Sequence, residues 1–77
     1  MKLTIEPTSK VVMLNGTVDC RVWEGVDDEG IAVHCYIPRV AIPINAPEPV
    51  ARRFRERLLE TRPPSPEVRA IPLRLIL

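Results

Sequence analysis

The sequence predicts a small α+β domain, an antiparallel β-meander of three to five strands with one α-helix packed on one face. Three observations predict this fold class. Apolar and polar residues alternate through most of residues 2–37, an Asn-Gly pair divides two apolar runs, and eight of the nine prolines lie at or after residue 38, around one segment with helical periodicity. A chain of 77 residues has room for a single domain, 1–77.

The Asn15-Gly16 pair is the strongest turn signal in the chain. A two-residue type I′ turn needs positive φ at both central positions, which asparagine tolerates and glycine adopts freely. With strands at about 10–14 and 17–24, this turn pairs Leu14 with Thr17. Because side chains alternate along a strand, one apolar face is then predicted. Its members are Val11, Met13, Val18, Cys20 and Val22.

Two further strands are predicted, at about 2–6 and 31–37. The first alternates apolar and polar residues and is expected to end at the Pro-Thr-Ser of residues 7–9. Residues 25–30 have a composition typical of turns. The later strand is therefore expected to return along the hairpin and complete the meander.

A single helix is predicted at about 49–61. Proline at residue 49 suits the first turn, where its missing N–H has no partner inside the helix, and Arg62-Pro63-Pro64 is expected to stop it. At 100° per residue one apolar stripe forms, and we expect it to cover the apolar face of the hairpin. The stripe consists of Val50, Ala51, Phe54 and Leu58.

The proline-rich connection at 39–46 is predicted to be extended, with a short edge strand at Val40–Ile42. A terminal strand is predicted at about 73–77, with Pro72 favouring a position at the sheet edge. The beginning of the chain has no apolar run of signal-peptide length, and no segment reaches the roughly 18 apolar residues of a membrane helix. We therefore expect a protein that is not secreted and has no membrane partner.

Side chains that commonly carry chemistry are few. His34 and Cys35 are adjacent in a predicted strand, so they point to opposite faces and cannot bind one ion. His34 is expected on the solvated outer face, with no nucleophile motif for it to serve. Cys20 and Cys35 are expected to be small buried hydrophobic residues, with a disulfide between them as the alternative. The sequence thus predicts a non-enzymatic protein with no catalytic, cofactor-binding or metal-binding residues.

Charge is divided unevenly along the chain. Residues 1–37 hold three basic residues against six acidic ones, whereas 38–77 hold eight arginines against four acidic residues. This asymmetry indicates either a basic half that meets an acidic partner or two halves that neutralise each other within the domain.

The arginines of the predicted helix are one candidate contact surface. Nucleic-acid binding requires arginines on one face, but glutamates at 56 and 60 share the outer surface, which is typical of a solvated helix. Leu59 points outward among Arg52, Arg55 and Arg62, and such a leucine suits a protein interface.

A second candidate contact surface lies on the face of the hairpin away from the predicted helix. If nothing in the chain covers it, an exposed apolar patch results, as is typical of contact sites. The alternative is that the first strand, the terminal strand or residues 39–46 fold across it. The patch comprises Val12, Leu14, Trp23 and Tyr36.

The opening MKLTIEPTSKVVMLNGTVDCRVWEG and the close RPPSPEVRAIPLRLIL together resemble small uncharacterised proteins of temperate phages and prophages of proteobacteria. The resemblance extends over most of the chain and carries no motif of known chemistry. It implies a location in the bacterial cytoplasm of the host cell or in a virion. Phage proteins of this size are often inhibitors of host machinery, small regulators or minor particle components.

Together these observations predict a protein that acts by protein–protein contact. Its partner would be a second copy, a host factor such as a defence complex, or a component of a phage assembly. A small nucleic-acid-binding protein that uses the arginine-rich helix is the alternative.

Overall fold

The computed structural model describes residues 1–66 of the chain. It contains three strands and one helix in the order β1 (Leu3–Leu14), β2 (Val18–Asp27), β3 (Ala32–Ile37) and α1 (Glu48–Leu58). The strands form one open antiparallel sheet in the order β1-β2-β3. The predicted α+β meander is confirmed, whereas the terminal strand predicted at about 73–77 lies outside the described residues.

The β1–β2 hairpin turns at the predicted residues but in a different register. Asn15 and Gly16 have φ of 54° and 72°, and Thr17 N donates a hydrogen bond of 3.1 Å to the Leu14 carbonyl oxygen. The first residue pair across the loop is Leu14–Val18, so Thr17 belongs to the loop. The predicted pairing of Leu14 with Thr17 is therefore wrong by one residue.

This shift changes which side chains share a face of the sheet, because residues that pair directly point the same way. Val12 pairs with Cys20, and Val22 pairs with Tyr36. We call the side that they share the Cys20 face; it comprises Val12, Leu14, Val18, Cys20, Val22, Glu24, His34 and Tyr36. The opposite side, the Trp23 face, comprises Ile5, Pro7, Val11, Met13, Arg21, Trp23, Cys35 and Ile37.

The predicted apolar face of the hairpin is accordingly divided between the two sides. Val18, Cys20 and Val22 remain together, but Val11 and Met13 lie on the Trp23 face and are exposed. The two cysteines also point to opposite faces, and both are free thiols. The disulfide alternative is therefore wrong. Cys20 is buried as predicted, whereas Cys35 is only half-buried.

Strand β1 continues through residues 7–9, where the sequence predicted its end. Between Pro7 and Val11 it has three residues opposite one residue of β2, which makes a bulge. The Thr8 hydroxyl donates to the Val22 carbonyl oxygen (2.7 Å) and accepts from Lys10 N (3.3 Å). The buried Thr8 side chain thus satisfies backbone groups that the interrupted ladder leaves unpaired, and the strand continues beyond Pro7.

Helix α1 begins after Pro47 and ends at Leu58, three residues earlier than predicted, and none of its residues is buried. It lies over the Trp23 face, because Ile5, Pro7 and Trp23 line the space beneath it. The expected packing on the Cys20 face is therefore wrong. Residues 39–46 contain no strand, so the edge strand predicted at Val40–Ile42 is not formed.

The most buried residues lie in the sheet. They include two apolar residues and three polar ones: Cys20, Val22, Thr8, Glu24 and Asp27. The Asp27 carboxylate accepts hydrogen bonds from the backbone N–H groups of Glu29 (2.8 Å) and Ile31 (2.9 Å), which fixes the β2–β3 turn. Within residues 1–66 no helix has the length and apolarity needed to cross a membrane.

Candidate protein-contact site

A groove of about 960 Å³ separates helix α1 from the Trp23 face. The sheet provides its floor, the helix provides one wall, and the 39–46 connection closes another side. Its apolar lining consists of Ile5, Pro7, Trp23, Val40, Ile42, Pro49, Val50, Phe54 and Leu58.

The helical wall of the groove follows from the spacing of its apolar residues. Val50, Phe54 and Leu58 recur every four residues, so they lie on one side of α1. The sequence predicted this stripe, but Ala51 lines a smaller hollow beside Ile42 and Phe54 instead. The stripe therefore faces the sheet across the groove, without being buried in it.

The groove is open to solvent along its lips. Val50 on the helix and Val40 on the connection are 52% and 39% exposed, while Phe54 and Trp23 deeper in the groove are half-buried. Apolar side chains at an open lip are typical of a surface that another protein covers. An enclosed pocket for a small molecule would instead bury most of its lining.

The rim of the groove carries charge on the helix side. Arg53 and Arg57 line it one helical turn apart, and Glu60 follows at its end. Arg53 Nη1 lies 3.6 Å from Glu56 Oε2, but both side chains are more than half exposed, so this ion pair contributes little. Arg57 has no ion pair within residues 1–66.

Arg62 lines the groove, and its side chain is bonded to a buried carboxylate on the Cys20 face, that of Glu24. The Glu24 side chain is 7% exposed and accepts hydrogen bonds from Arg62 Nη1, from Ser65 N (3.0 Å) and from Ser65 Oγ (2.8 Å). His34 Nε2 lies 3.6 Å from the same carboxylate. We call these four residues the Glu24 clasp.

The electrostatics of the clasp favour the ionised carboxylate. Burial by itself would raise the pKa of Glu24, but the hydrogen bonds from Arg62 and Ser65 and the charge of Arg62 outweigh it. The pKa of Glu24 is therefore lowered from its ordinary value of 4.5. The hydrogen bond to Glu24 in turn raises the pKa of Arg62.

The clasp fastens residues 62–65 to the sheet. Ser9 N donates to the Arg62 carbonyl oxygen (2.8 Å), and Arg62 N donates to the Pro7 carbonyl oxygen (3.3 Å), so this segment pairs with β1 as a short parallel bridge. The Ser65 hydroxyl donates to Glu24 and makes no hydrogen bond to His34 among the described residues. The arrangement therefore holds residues 62–65 in place on the sheet.

The predicted solvated position of His34 is wrong. Its side chain is only 15% exposed and lies against Glu24. The predicted patch around Trp23 is also divided, because Trp23 lies in the groove while Val12, Leu14 and Tyr36 lie on the opposite face.

The predicted contact residues of the helix have different surroundings. Leu59 is 80% exposed, as expected for an outward side chain. Arg55 pairs with Glu48 (2.8 Å) at an exposed position, and Arg62 belongs to the clasp. Arg52 lines neither the groove nor the smaller hollow. The structure therefore brings Trp23 to the groove with Arg62 at its end and leaves the remaining predicted residues outside it.

The sequence prediction missed the apolar lining from Ile5, Val40 and Ile42, and it missed the Glu24 clasp. A signal for the clasp was present, since Glu24 continues the alternation of Cys20 and Val22 and so falls on a buried face. A buried glutamate needs a cationic partner, but no local pattern indicates an arginine 38 residues away.

Comparison with protein-family models, with curated proteins and with solved structures found no match. The resemblance to phage proteins thus stays a prediction. Within residues 1–66, no group of three or more His, Cys, Asp or Glu side chains is placed to hold a metal ion.

Proposed function

We propose that this chain is a non-enzymatic protein that acts by binding another protein in the groove between α1 and the Trp23 face. One observation carries the proposal. An apolar groove of about 960 Å³ remains under an amphipathic helix that has no buried residue. A helix of this kind ordinarily buries its stripe, so its open groove favours a partner that completes the packing.

The composition of the groove supports a protein partner. Its floor holds Trp23, its wall holds Phe54, and arginines stand at its rim. Tryptophan and arginine are the residue types that most often dominate binding energy at protein interfaces, especially where apolar neighbours exclude water. The charged rim and apolar centre follow the usual plan of such interfaces.

The resemblance to phage and prophage proteins supports a narrower version of the proposal. In it, the partner is a host factor such as a defence complex, or a component of a phage assembly. The protein would then act by occupying a surface that the partner needs for its own contacts.

A matched pair of variants tests the proposal. Val50→Glu places a carboxylate at the groove lip, and Val18→Glu places one at a similarly exposed site of the hairpin, away from the groove. We expect cross-linked complexes from a proteobacterial lysate with the wild type and Val18→Glu, and their loss with Val50→Glu. Circular dichroism checks that both variants fold. Equal capture by all three chains would rule out the groove as the contact site.

Nucleic-acid binding is the second candidate, favoured by the four exposed arginines of α1: Arg52, Arg53, Arg55 and Arg57. It predicts that duplex DNA or RNA binds at low salt and dissociates steeply as salt rises, because phosphate contacts release counterions. It further predicts that Arg52→Glu weakens this binding, although Arg52 lies outside the groove and the smaller hollow. Absence of gel retardation at low salt would eliminate this candidate.

A further inference from the structure

We infer that the groove accepts an amphipathic helix of a partner protein that presents an apolar stripe and two carboxylates one helical turn apart. This inference rests on the proposed function and names the chemistry of the partner segment. It follows from three features of the groove: the length of its apolar wall, the hydrogen bonds that its backbone groups already make, and the charge on its rim.

The length of the apolar wall suits two turns of helix. Val50 and Leu58, the ends of the wall, are eight positions apart on α1, which corresponds to roughly 12 Å. A partner helix that lies along α1 places side chains of its own i, i+4 and i+8 positions against this wall. Trp23 lines the same groove from the sheet side.

The backbone of the groove favours a helical partner over an extended one. An extended segment needs N–H and C=O partners along its length, as at a free sheet edge. Here the wall is a helix, whose backbone groups are largely bonded within α1, and the floor is the face of a sheet. A helix satisfies its own backbone groups and requires only side-chain contacts.

The rim of the groove favours an acidic partner, because its charged lining holds three arginines (Arg53, Arg57 and Arg62) against two glutamates (Glu6 and Glu60). Arg53 and Arg57 are four residues apart on α1, so their side chains lie about 6 Å apart. Arg57 has no ion pair within residues 1–66, and Arg53 has only a weak one. Two carboxylates at i and i+4 on the partner match this spacing.

The same charges disfavour the occupants that the chain itself offers. A second copy docking its α1 against this wall would bring together two helices that each hold four arginines against two glutamates, which is an unfavourable charge balance. The segment 67–77 contains two arginines against one glutamate, and a proline interrupts it. An acidic helix from another protein has neither conflict.

Two synthetic peptides test the inference. Both are hydrocarbon-stapled helices of about 15 residues with the same apolar stripe, because unstapled helices of this length are marginal in water. One carries Glu at two positions one turn apart beside the stripe, and the other carries Lys there. Trp23 is the only tryptophan, so its emission reports occupancy of the groove in the full-length chain.

We expect the Glu peptide to bind at least about tenfold more tightly than the Lys peptide at low salt, with the difference shrinking at high salt. The double variant Arg53→Glu/Arg57→Glu should invert this preference. Arg52→Glu is the matched control, because Arg52 lines no groove, and it should leave the preference unchanged.

Other results would overturn the inference in distinguishable ways. Equal binding of both peptides with a change in Trp23 emission would remove the acidic partner but leave the groove as the contact site. No binding of either peptide, while Val50→Glu still abolishes capture from lysate, would overturn the helical partner alone.

Two further outcomes would identify an occupant from the chain itself. A dimer in sedimentation, with Trp23 emission that changes with protein concentration, would show that a second copy fills the groove. A gain in peptide affinity for full-length Leu75→Asp would show that the chain's own terminal segment competes for it. Either result would overturn an external partner.

Discussion

The two faces of this sheet are covered by different means. On the Cys20 face, a four-residue segment is fixed by the carboxylate of Glu24 and by backbone hydrogen bonds to β1. On the Trp23 face, an eleven-residue amphipathic helix leaves a groove beneath it and buries none of its residues. The shorter and more polar element is the one that is held more closely.

This contrast teaches that apolar patterning and close packing are separate properties. The stripe of α1 has the periodicity of a core helix, yet packing also depends on what lies opposite. There, Ile5, Pro7 and Trp23 form the floor, and a groove of about 960 Å³ remains between them and the helix. The Glu24 clasp instead joins groups with defined geometry, and each pairing fixes the position of the segment. If close pairing and not apolar patterning determines stability, variants of the clasp should lose more stability than variants of the helix.

The largest loss of stability is expected on breaking the clasp. Glu24→Ala removes the charged acceptor of the three hydrogen bonds from Arg62 and Ser65 and should lower the free energy of unfolding by about 3 kcal/mol. Urea denaturation measures this loss. If Glu24→Ala does not fold, Glu24→Gln, which keeps the shape and removes the charge, should show a smaller loss. A fully stable Glu24→Gln chain would mean that the charge does not hold the segment.

The clasp should also make stability depend on pH. Because the pKa of Glu24 is lowered in the folded chain, its contribution is present above its ordinary value of 4.5 and is lost as pH falls through the lower folded value. Urea midpoints measured at a series of pH values should fall less steeply below pH 4.5 in Glu24→Gln than in the wild type. If the urea midpoints of the two chains fall in parallel with pH, other carboxylates are responsible for the loss of stability in acid.

A pair of truncations compares the sheet and the helix directly. Val22 is 1% exposed, so Val22→Ala should cost about 2 kcal/mol, whereas Phe54→Ala, in the half-buried groove wall, should cost about 1 kcal/mol despite removing more atoms. Thermal and urea unfolding of both variants measure the difference. The comparison fails if Phe54→Ala is the more damaging change.

The bulge in β1 gives an intermediate effect. Thr8→Val keeps the shape of the side chain but removes the hydroxyl that bonds to Val22 O and Lys10 N, and should cost about 1–2 kcal/mol. Thr8→Ser keeps the hydroxyl and should lose less. Hydrogen exchange at residues 8–10 should rise only in Thr8→Val, and equal exchange in both variants would exclude this role.

The smallest effect is expected from the exposed ion pair of α1. Arg55 and Glu48 lie 2.8 Å apart, but both side chains are more than 60% exposed. Arg55→Gln should therefore change the free energy of unfolding by less than about 0.5 kcal/mol at physiological salt. A loss comparable to that of Glu24→Gln would show that distance, not burial, determines the strength of ion pairs here.

The fold class was predictable because its signals are local. Alternation gave the strands, and Asn15-Gly16 gave the turn, with positive φ at both residues. The register was not predictable, because Thr17 joins the loop and this choice depends on pairing farther along the strands. That single residue decided which residues of β1 near the turn share a face with Trp23.

The candidate site was predictable only in part. The wall of the groove follows from the helical stripe, and Trp23, which lines the groove, was among the predicted contact residues. The floor of the groove depends on the strand register. The clasp depends on a contact between Glu24 and Arg62, which are 38 residues apart in the sequence. Long-range pairing of this kind leaves no periodic trace in a sequence.

The parallel bridge at Thr8 and Arg62 has one more consequence, for how copies of the protein meet in a crowded cell. A twelve-residue strand at a sheet edge is a template for end-to-end polymerisation through backbone pairing. Here Pro7 and Ser9 are already bonded to Arg62 in the middle of that edge. Among the described residues, an incoming strand would find only two short unpaired stretches at this edge, 3–6 and 10–14, so the bridge makes the β1 edge a poorer template for such pairing.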